Sequence, residues 1–498
     1  MIDVNETQSA DAGAMPEPNP RRWLALTGLA LVQFILFLDA TNVNVALPSI
    51  QRDLGLSQSG LTWVVNGYLL AAGGLLLLCG RLADIIGRRT VFATGATLFA
   101  VASLTAALAQ SPEVLIVSRF AQGAGEALAA PAALSMVALL FLDPKERAKA
   151  FGIWGALAGL GAASGVLLSG VLTDLASWHW VFYICIPPCV ISLIMTFRLV
   201  PESRDTSAPR PSWISGVLLT GGMIAVIKGL LTGIYEPWSS ASVLGPILGG
   251  LVVLIAFVVL QARSSNPLVP LPFFANRTRL TGYVAQLGMA TATAAMFFLI
   301  VLHMQDTMHY SPLQSGLAWL PFTIAFMPGL VVSTKALPKF GSRIVLSAGL
   351  LLIAAGVALF SRLGADSTFL TGLLPAMILV AFGSGVTAPA LQMSALAELS
   401  EQDAGLGSGV LTSVQQISQS LGLSVLVTFG LSHQRSLTDS GTALGQAVTK
   451  GHSLAMQIGA LVLVVAAIAC YLLAKRSIKA APGVPVAAEV SAEPVPAK

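Results

Sequence analysis

The chain has 498 residues, of which 55% are hydrophobic and 10% are charged, and its mean hydropathy is +0.80. Soluble domains carry about 25% charged residues, so this chain lacks the polar surface that a water-soluble fold of its size needs. Lipid is a solvent in which such a composition is stable. The net charge of +4 is small and less informative than its placement, and we expect no nucleic-acid partner.

The apolar residues form long continuous runs, which favours helices over a barrel of short alternating strands. The first run, from Trp23, is too long for the apolar core of a signal peptide and is interpreted as an uncleaved span. Fourteen runs of about 20 residues centre roughly on residues 35, 70, 100, 127, 160, 190, 223, 251, 290, 323, 352, 380, 417 and 463. The sequence therefore predicts an all-α membrane protein with fourteen transmembrane spans.

The basic residues are distributed unevenly between the two sides of these spans. With the N-terminus in the cytoplasm, 21 of the 27 Lys and Arg residues fall on the cytoplasmic side and four on the other, while Arg119 and Lys228 lie within spans. Cytoplasmic loops carry such an excess. We therefore predict a multi-pass inner-membrane protein with both termini cytoplasmic, and disordered Pro/Ala/Glu-rich tails at 1–20 and 478–498.

Two cytoplasmic loops resemble each other and indicate an internal repeat. GRLADIIGRRTVF (80–92) follows the second span and TKALPKFGSRIVL (334–346) follows the tenth, and aligning Gly87 with Gly341 also pairs Arg89 with Arg343. Transporters are often built from such repeats. The repeat predicts two six-helix bundles, at 21–200 and 271–477, separated by an inserted helix pair with its linkers at 201–270.

Four segments carry a resemblance to a known family. GRLADIIGRR resembles the cytoplasmic loop signature of the major facilitator superfamily, and RFAQGAGEALAAPAAL (119–134) resembles its fourth-span signature with a buried arginine. LDATNVNVALP (38–48) and YSPLQSGLAWLP (310–321) are similar to signatures of the 14-span drug:proton antiporter branch. The resemblance implies the major facilitator fold and alternating-access export of amphipathic drugs, antibiotics or secondary metabolites in exchange for protons.

The fifth span departs from that branch. The run GLGAASGVLLSGVL (159–172) has Val166 and Ser169 where proline and glycine are usual. Gly161, Gly165 and Gly170 remain, and they predict close helix packing. The missing proline keeps open an alternative function, a proton-coupled importer or facilitator of an organic solute.

Asp39 and Glu126 are the two acidic residues deep inside predicted spans. An ionisable group there is costly to bury and is a functional hypothesis by default. Desolvation favours the neutral form of a carboxyl group, so Asp39 could take up a proton outside and release it when the site opens inward. The structural alternative is that Asp39 caps a helix break or pairs with a neighbour.

Arg119 and Glu126 lie seven residues apart, which places them two turns apart on one helix face with Gln122. By resemblance, Arg119 is tied to proton coupling, and we predict that Asp39, Arg119 and Glu126 are the proton-coupling residues. Glu126 could be a second proton carrier or a counter-charge for a cationic substrate. The static alternative is a buried pair in which Glu126 merely satisfies Arg119.

An acid among the basic residues after the second span predicts a conformational latch. Asp84 can interact with a facing helix N-terminus and neighbouring arginines in the outward-open state. The alternative is that the arginines only anchor the loop on the cytoplasmic side. The predicted latch residues are Gly80, Asp84, Gly87, Arg88 and Arg89.

Amide side chains inside spans are candidates for a substrate cavity or for bonds between helices. The predicted cavity residues are Gln33, Asn42, Gln122, Gln286 and Gln415. Other amides, including Gln392, Gln416 and Gln419, are expected mainly to bond between helices.

The sequence contains no signature of soluble catalysis. We find no phosphate-binding glycine loop with its Lys-Ser/Thr and no His/Cys ligand spacing, and the four cysteines fall in apolar runs as core residues. We therefore expect no enzymatic activity, no metal and no cofactor, with the proton gradient as the energy source. The expected partners are a small amphipathic substrate, protons and the lipid bilayer, and the expected functional unit is a monomer.

Overall fold

A computed structural model describes residues 20–205, 211–364, 367–399 and 404–474, and the regular structure within these ranges is helical. The first seven helices are α1 Arg22–Leu54, α2 Gln58–Ile86, α3 Arg88–Ala107, α4 Pro112–Leu140, α5 Pro144–Leu175, α6 Trp180–Tyr183 and α7 Ile186–Leu199. The others are α8 Trp213–Thr232, α9 Ala241–Arg263, α10 Arg277–Leu302, α11 Pro312–Ala318, α12 Leu320–Phe360, α13 Leu374–Ala395, α14 Ala404–Asp439 and α15 Leu444–Leu473. Apart from residue 20, the two predicted tails lie outside the described residues.

Among the described residues, thirteen helices are long and apolar enough to cross a membrane, which confirms the all-α membrane fold. The difference from the fourteen predicted spans arises in α12, which contains the predicted centres near residues 323 and 352. The backbone of α12 leaves helical geometry at Gly341, where φ is 74° and ψ is 166°. When α12 is divided at Gly341 it supplies two spans, and the described helices then provide the fourteen spans that the sequence predicts.

Polar residues at the helix starts explain several boundaries. The carboxylate of Asp143 accepts hydrogen bonds from the backbone N–H groups of Lys145 and Glu146 at the start of α5. Ser311 and Gln314 form a reciprocal capping box at the start of α11. These contacts satisfy backbone donors that a helix leaves unpaired at its N-terminus.

The helices form an N-terminal half, α1–α7, and a C-terminal half, α10–α15, in which neighbouring helices pack along their length. Gly87 and Gly341 occupy corresponding turns, and both have positive φ. The guanidinium of Arg89 lies over the ring of Phe197 in α7, and that of Arg343 lies over a tyrosine ring in α15. These parallel contacts support the proposal that the two halves are related repeats.

Helices α8 and α9, which the sequence predicts to be an inserted pair, pack on each other, and α8 also contacts α2 and α14, one helix from each half. At the end of α8, the carbonyl of Leu230 accepts a hydrogen bond from the Thr428 hydroxyl, and the carbonyl of Ile234 accepts one from Arg435. Helix α8 therefore covers the seam between α2 and α14. Helix α9 lies on the periphery, and its apolar side chains face outward as in a lipid-exposed helix.

Glycines of α5 permit close contact with its neighbours. A Cβ atom added at Gly161 would collide with the Phe34 carbonyl of α1, and one at Gly165 would lie 2.5 Å from the Leu38 carbonyl oxygen. A Cβ atom at Gly170 would lie 2.7 Å from the carbonyl oxygen of Pro312 in the other half. Helix α5 continues through Val166 and Ser169 without interruption. The three glycine contacts support the predicted packing role.

We expect Gly165→Val to destabilise the protein, because its side chain would force α1 away from α5 beside Asp39. Overpacking of this kind typically costs about 1–3 kcal/mol, to be measured as a lower thermal-unfolding midpoint of purified protein in detergent. Gly159→Val on the same helix is the matched control, since a Cβ atom at Gly159 meets nothing within 4 Å. Equal losses of stability in the two variants would contradict the packing role of Gly165.

Candidate functional site

A buried ion pair joins α1 to α4 in the N-terminal half. Arg119 Nη1 lies 2.6 Å from Asp39 Oδ2, and the two side chains are 2% and 0% exposed. Arg119 also donates to the Val64 carbonyl of α2 at 3.0 Å and to Gln122 Oε1 at 2.8 Å. Gln122 in turn donates to Asp39 Oδ1 at 3.3 Å. The ion pair is thus enclosed in a hydrogen-bonded network, as a buried charge requires.

Helix α4 supplies Arg119 and Gln122 at a spacing of three residues, which places both on the face toward α1 and α3. Gln122 continues the network to the Ser103 hydroxyl of α3 at 2.9 Å. The ring of Tyr68 in α2 covers the guanidinium of Arg119 at 4.4 Å. Four helices therefore converge on the ion pair.

A cavity of about 1000 Å³ lies between the two halves. Its aromatic lining includes Tyr68, Trp154, Phe297 and Trp319. Its amide lining among the described residues consists of Gln33, Asn44, Gln392, Gln415, Gln416 and Gln419. Apolar walls with a few convergent polar groups are typical of small-molecule sites.

The cavity extends to the side of the molecule that carries Arg22 and Arg88, here called the basic side. On this side Arg22 at the start of α1 pairs with Glu146 at the start of α5, with 2.8 Å between Nη2 and Oε1. Asp84 and Arg88, from the turn between α2 and α3, line the mouth of the cavity. On the opposite side the halves are in contact, and Gln305 donates to the Val45 carbonyl at 2.8 Å. The described conformation is therefore open toward the basic side.

Glu126 lines the cavity and makes no ion pair with Arg119, although both lie on α4. Its Oε1 accepts a hydrogen bond of 2.9 Å from Gln416 Nε2 of α14, in the other half. Its Oε2 has no hydrogen-bond partner within the part of the chain that the structure describes. The static interpretation, in which Glu126 satisfies Arg119, is therefore wrong, because Asp39 fills that position.

Of the five predicted cavity residues, Gln33 and Gln415 line the cavity, and the other three do not. Asn42 is buried and donates to the Val181 carbonyl, Gln122 belongs to the ion-pair network, and Gln286 is 3% exposed within the C-terminal half. Their predicted placement in the cavity is wrong. The sequence shows that a polar residue lies within a span, but it does not show the direction in which the side chain points. Gln392, Gln416 and Gln419, which we expect mainly to bond between helices, line the cavity, and Gln416 also bonds to Glu126 of α4.

The predicted latch residues lie together around the turn between α2 and α3. Arg88 pairs with Asp84 at 2.8 Å, and Gly87 joins the two helices with φ of 129°. Arg89 donates to the Val200 carbonyl at 3.2 Å. Gly80 lines the cavity one turn before Asp84. In this open conformation the Asp84 side chain pairs within the N-terminal half, whereas Arg88 and Arg89 also contact Ser203 and Glu202 in the segment that follows α7.

Glu202, which the sequence analysis did not single out, caps α3. Its carboxylate accepts hydrogen bonds from the backbone N–H groups of Arg89 and Thr90, both at 3.0 Å, and from the Thr90 hydroxyl. Gly87, the residue before α3, has no side chain that could do so. Partial burial opposes the charged form, but the hydrogen bonds from Thr90 and the backbone outweigh it and lower the pKa of Glu202 below its usual range.

The sequence profile of the Major Facilitator Superfamily matches residues 29–423 of this chain. The puromycin resistance protein pur8 of Streptomyces alboniger is 35% identical over 483 residues, which cover 95% of each chain. The lincomycin resistance protein of Streptomyces lincolnensis is 36% identical over 86% of this chain and 87% of its own. The cephamycin export protein CmcT of Amycolatopsis lactamdurans is 34% identical over 86% of this chain and 88% of its own.

A crystal structure of the peptide transporter POT in complex with sulfate has a similar fold. Its TM-score is 0.64 at 16% sequence identity, and the match covers 93% of this chain and 97% of that one. A crystal structure of the nucleoside transporter NupG matches with a TM-score of 0.60 at 15% identity, over 91% of this chain and 100% of that one. At these identities the likeness concerns the fold alone.

We expect Glu202→Ala to lower stability by about 0.5–2 kcal/mol, the usual cost of losing a helix cap, measured by thermal unfolding in detergent. Because the pKa of Glu202 is lowered, its stabilisation is present above the usual glutamate pKa of about 4.3 and is lost as the pH falls through the folded-state value. The difference between the two proteins should therefore be constant from about pH 6 to 8.

Glu113→Ala provides the control, because Glu113 lies exposed in the first turn of α4 and its side chain makes no hydrogen bond with another described residue. We expect a smaller loss from this change. A loss from Glu202→Ala no larger than that from Glu113→Ala would contradict the capping role.

Proposed function

Because the chain belongs to the Major Facilitator Superfamily, a family of transporters, we propose that it exports amphipathic drugs, antibiotics or secondary metabolites across the inner membrane in exchange for protons. Relatives at 34–36% identity along most of its length include two antibiotic resistance proteins and an antibiotic export protein. The buried Asp39–Arg119 pair beside the cavity is the observation that carries the proposal.

We assign the basic side to the cytoplasm, because cytoplasmic loops carry the excess of Lys and Arg. Both termini are then cytoplasmic, and the cavity of the described conformation loads from the cytoplasm. Export requires this loading, followed by closure of the basic side and opening of the other. The apolar and amide lining of the cavity suits an amphipathic substrate.

The unequal positions of the paired residues support the proposed proton coupling. Arg119 lines the cavity, whereas Asp39 lies behind it and contacts Arg119 and Gln122. In the described conformation the guanidinium stabilises the Asp39 carboxylate. A movement of α1 against α4 that separates Asp39 from Arg119 would leave the Asp39 carboxylate unpaired in an apolar interior, which is energetically costly. Binding a proton neutralises the carboxylate and removes this cost. We therefore propose that Asp39 takes up its proton from the outside and releases it in the described conformation.

The latch residues lie where they can hold the basic side closed. Asp84 shares the cavity mouth with Gly405 and Leu406, at the start of α14 in the other half. When the mouth closes, the Asp84 carboxylate can interact with the N-terminal end of α14, which carries partial positive charge. Opening of the basic side breaks that contact and leaves Asp84 paired with Arg88.

Import by the same route is the second candidate, because Val166 and Ser169 replace the usual proline and glycine of the antiporter branch in α5. Direction separates the two functions. Energised cells that express the chain accumulate less substrate if it exports and more if it imports.

We expect Asp39→Asn to abolish proton-driven transport but to leave downhill exchange of substrate. Asparagine keeps an oxygen that can accept from Gln122 and Arg119 but cannot carry the proton. The measurement uses purified protein in proteoliposomes with an imposed pH gradient, puromycin as the probe, and a pH-sensitive dye to record proton movement.

Asp53→Asn is the matched control on α1, because Asp53 accepts a hydrogen bond from Trp178, which an asparagine oxygen can also accept. This variant should transport like the wild type. Uphill transport by Asp39→Asn at the wild-type rate would overturn the coupling role of Asp39.

A further inference from the structure

A line of polar residues on α14 connects the two halves of the protein. Gln416, Ser420 and Ser424 follow one another at intervals of four residues and therefore lie on one helix face. Ser420 donates to Asn66 Oδ1 of α2 at 2.9 Å, and Asn66 Nδ2 donates to Ser424 at 2.8 Å. Gln416, one turn closer to the cavity mouth, donates to Glu126 of α4.

The polar atoms along this line differ in whether they have hydrogen-bond partners. Asn66, Ser420 and Ser424 are fully buried, and the amide of Asn66 both donates and accepts. At the Glu126–Gln416 contact, Glu126 Oε2 and Gln416 Oε1 have no hydrogen-bond partner among the residues that the structure describes. The groups that support the Glu126 carboxylate, the Gln416 amide and the Tyr68 hydroxyl, are both neutral. A carboxylate without a cationic partner is poorly compensated in an apolar interior, where charge-assisted bonds are the strong ones.

Charge distinguishes Glu126 from the rest of the cavity wall. Among the described residues that line the cavity, the acidic ones are Asp84 and Glu126. Asp84 is ion-paired with Arg88, whereas no Lys or Arg of the described ranges lies within ion-pair distance of Glu126. Arg119 is already paired with Asp39. Glu126 is therefore the carboxylate in this cavity that is available to a positively charged ligand.

We propose that Glu126 binds the cationic amino group of the substrate and that the bound cation displaces the Gln416 amide. The inference rests on the proposed export function and deepens it by naming the substrate class, amphipathic organic amines. The ammonium supplies the charge-assisted donors that Glu126 lacks, and the apolar body of the substrate lies against the aromatic lining.

The displacement also affects the contact between the halves. Gln416 reaches Glu126 because Gly73 of α2 lets α14 approach closely, and a Cβ atom at Gly73 would lie 2.9 Å from Gln416 Cβ. When a cation replaces Gln416 at Glu126, one of the contacts that hold α14 against the N-terminal half is lost. Substrate binding therefore weakens the seam at which the halves must separate for the outer side to open.

The test compares puromycin with N-acetylpuromycin, in which the amino group is acylated and carries no charge. Dissociation constants are measured with purified protein in lipid nanodiscs. We expect the wild type to bind puromycin more tightly. Glu126→Gln should weaken puromycin binding about ten- to hundredfold, the loss of a charge-assisted hydrogen bond, and leave N-acetylpuromycin binding unchanged.

Glu113→Gln, the same substitution on the same helix but outside the cavity, should leave both dissociation constants unchanged. Gln416→Leu removes the competing amide and should tighten puromycin binding without changing that of N-acetylpuromycin. This second variant keeps the inference testable if Glu126→Gln does not fold, as monitored by size-exclusion chromatography.

Absence of a wild-type preference for puromycin, or equal changes for both probes in both variants, would overturn the inference. So would a Glu126→Gln variant that keeps the preference but loses proton coupling, because Glu126 would then be a second proton carrier. The export function is tested separately from the inference about Glu126. If the wild type transports N-acetylpuromycin with the proton gradient and Asp39→Asn does not, the export function holds even when the inference about Glu126 is overturned.

Discussion

The ion pair between Asp39 and Arg119 constrains the whole N-terminal half. In the membrane interior each charge is costly unless the other lies in contact with it and the remaining donors and acceptors are filled. The Val64 carbonyl and Gln122 complete the shell, so α1, α2 and α4 must meet at one point. Small residues allow that approach, since a Cβ atom at Gly123 would collide with the Tyr68 carbonyl of α2.

The two acids of the spans occupy different environments, and the difference comes from their partners. Asp39 contacts a guanidinium and is sealed from the cavity, whereas Glu126 contacts a neutral amide from the opposite half and lies on the cavity wall. A sealed, charge-paired carboxylate suits reversible proton binding coupled to helix movement. A carboxylate on the wall suits recognition of a ligand. The proposed division of tasks follows from this contrast.

The segment between the halves has structural contacts with both. After α7, Glu202 caps α3, and the backbone N–H of Asp205 donates to the Asp84 carbonyl. Farther along, the end of α8 accepts hydrogen bonds from Thr428 and Arg435 of α14. Movement at the α2–α3 turn can therefore be transmitted to the inserted pair. The boundary of this segment at 201–270 stays a prediction, although its helices lie where the two halves meet.

By itself, the sequence determined the membrane location, the helical class and the number of spans, because in lipid the backbone must bond within each helix and bilayer thickness sets helix length. It also singled out Asp39, Arg119 and Glu126, since charges are conspicuous in apolar runs. Which partner each charge has was decided by tertiary structure: Arg119 pairs with an acid 80 positions away instead of the one on its own helix face. The Glu126–Gln416 contact spans 290 positions. Such contacts depend on how each helix is rotated and packed against its neighbours, and local sequence patterns do not encode that rotation.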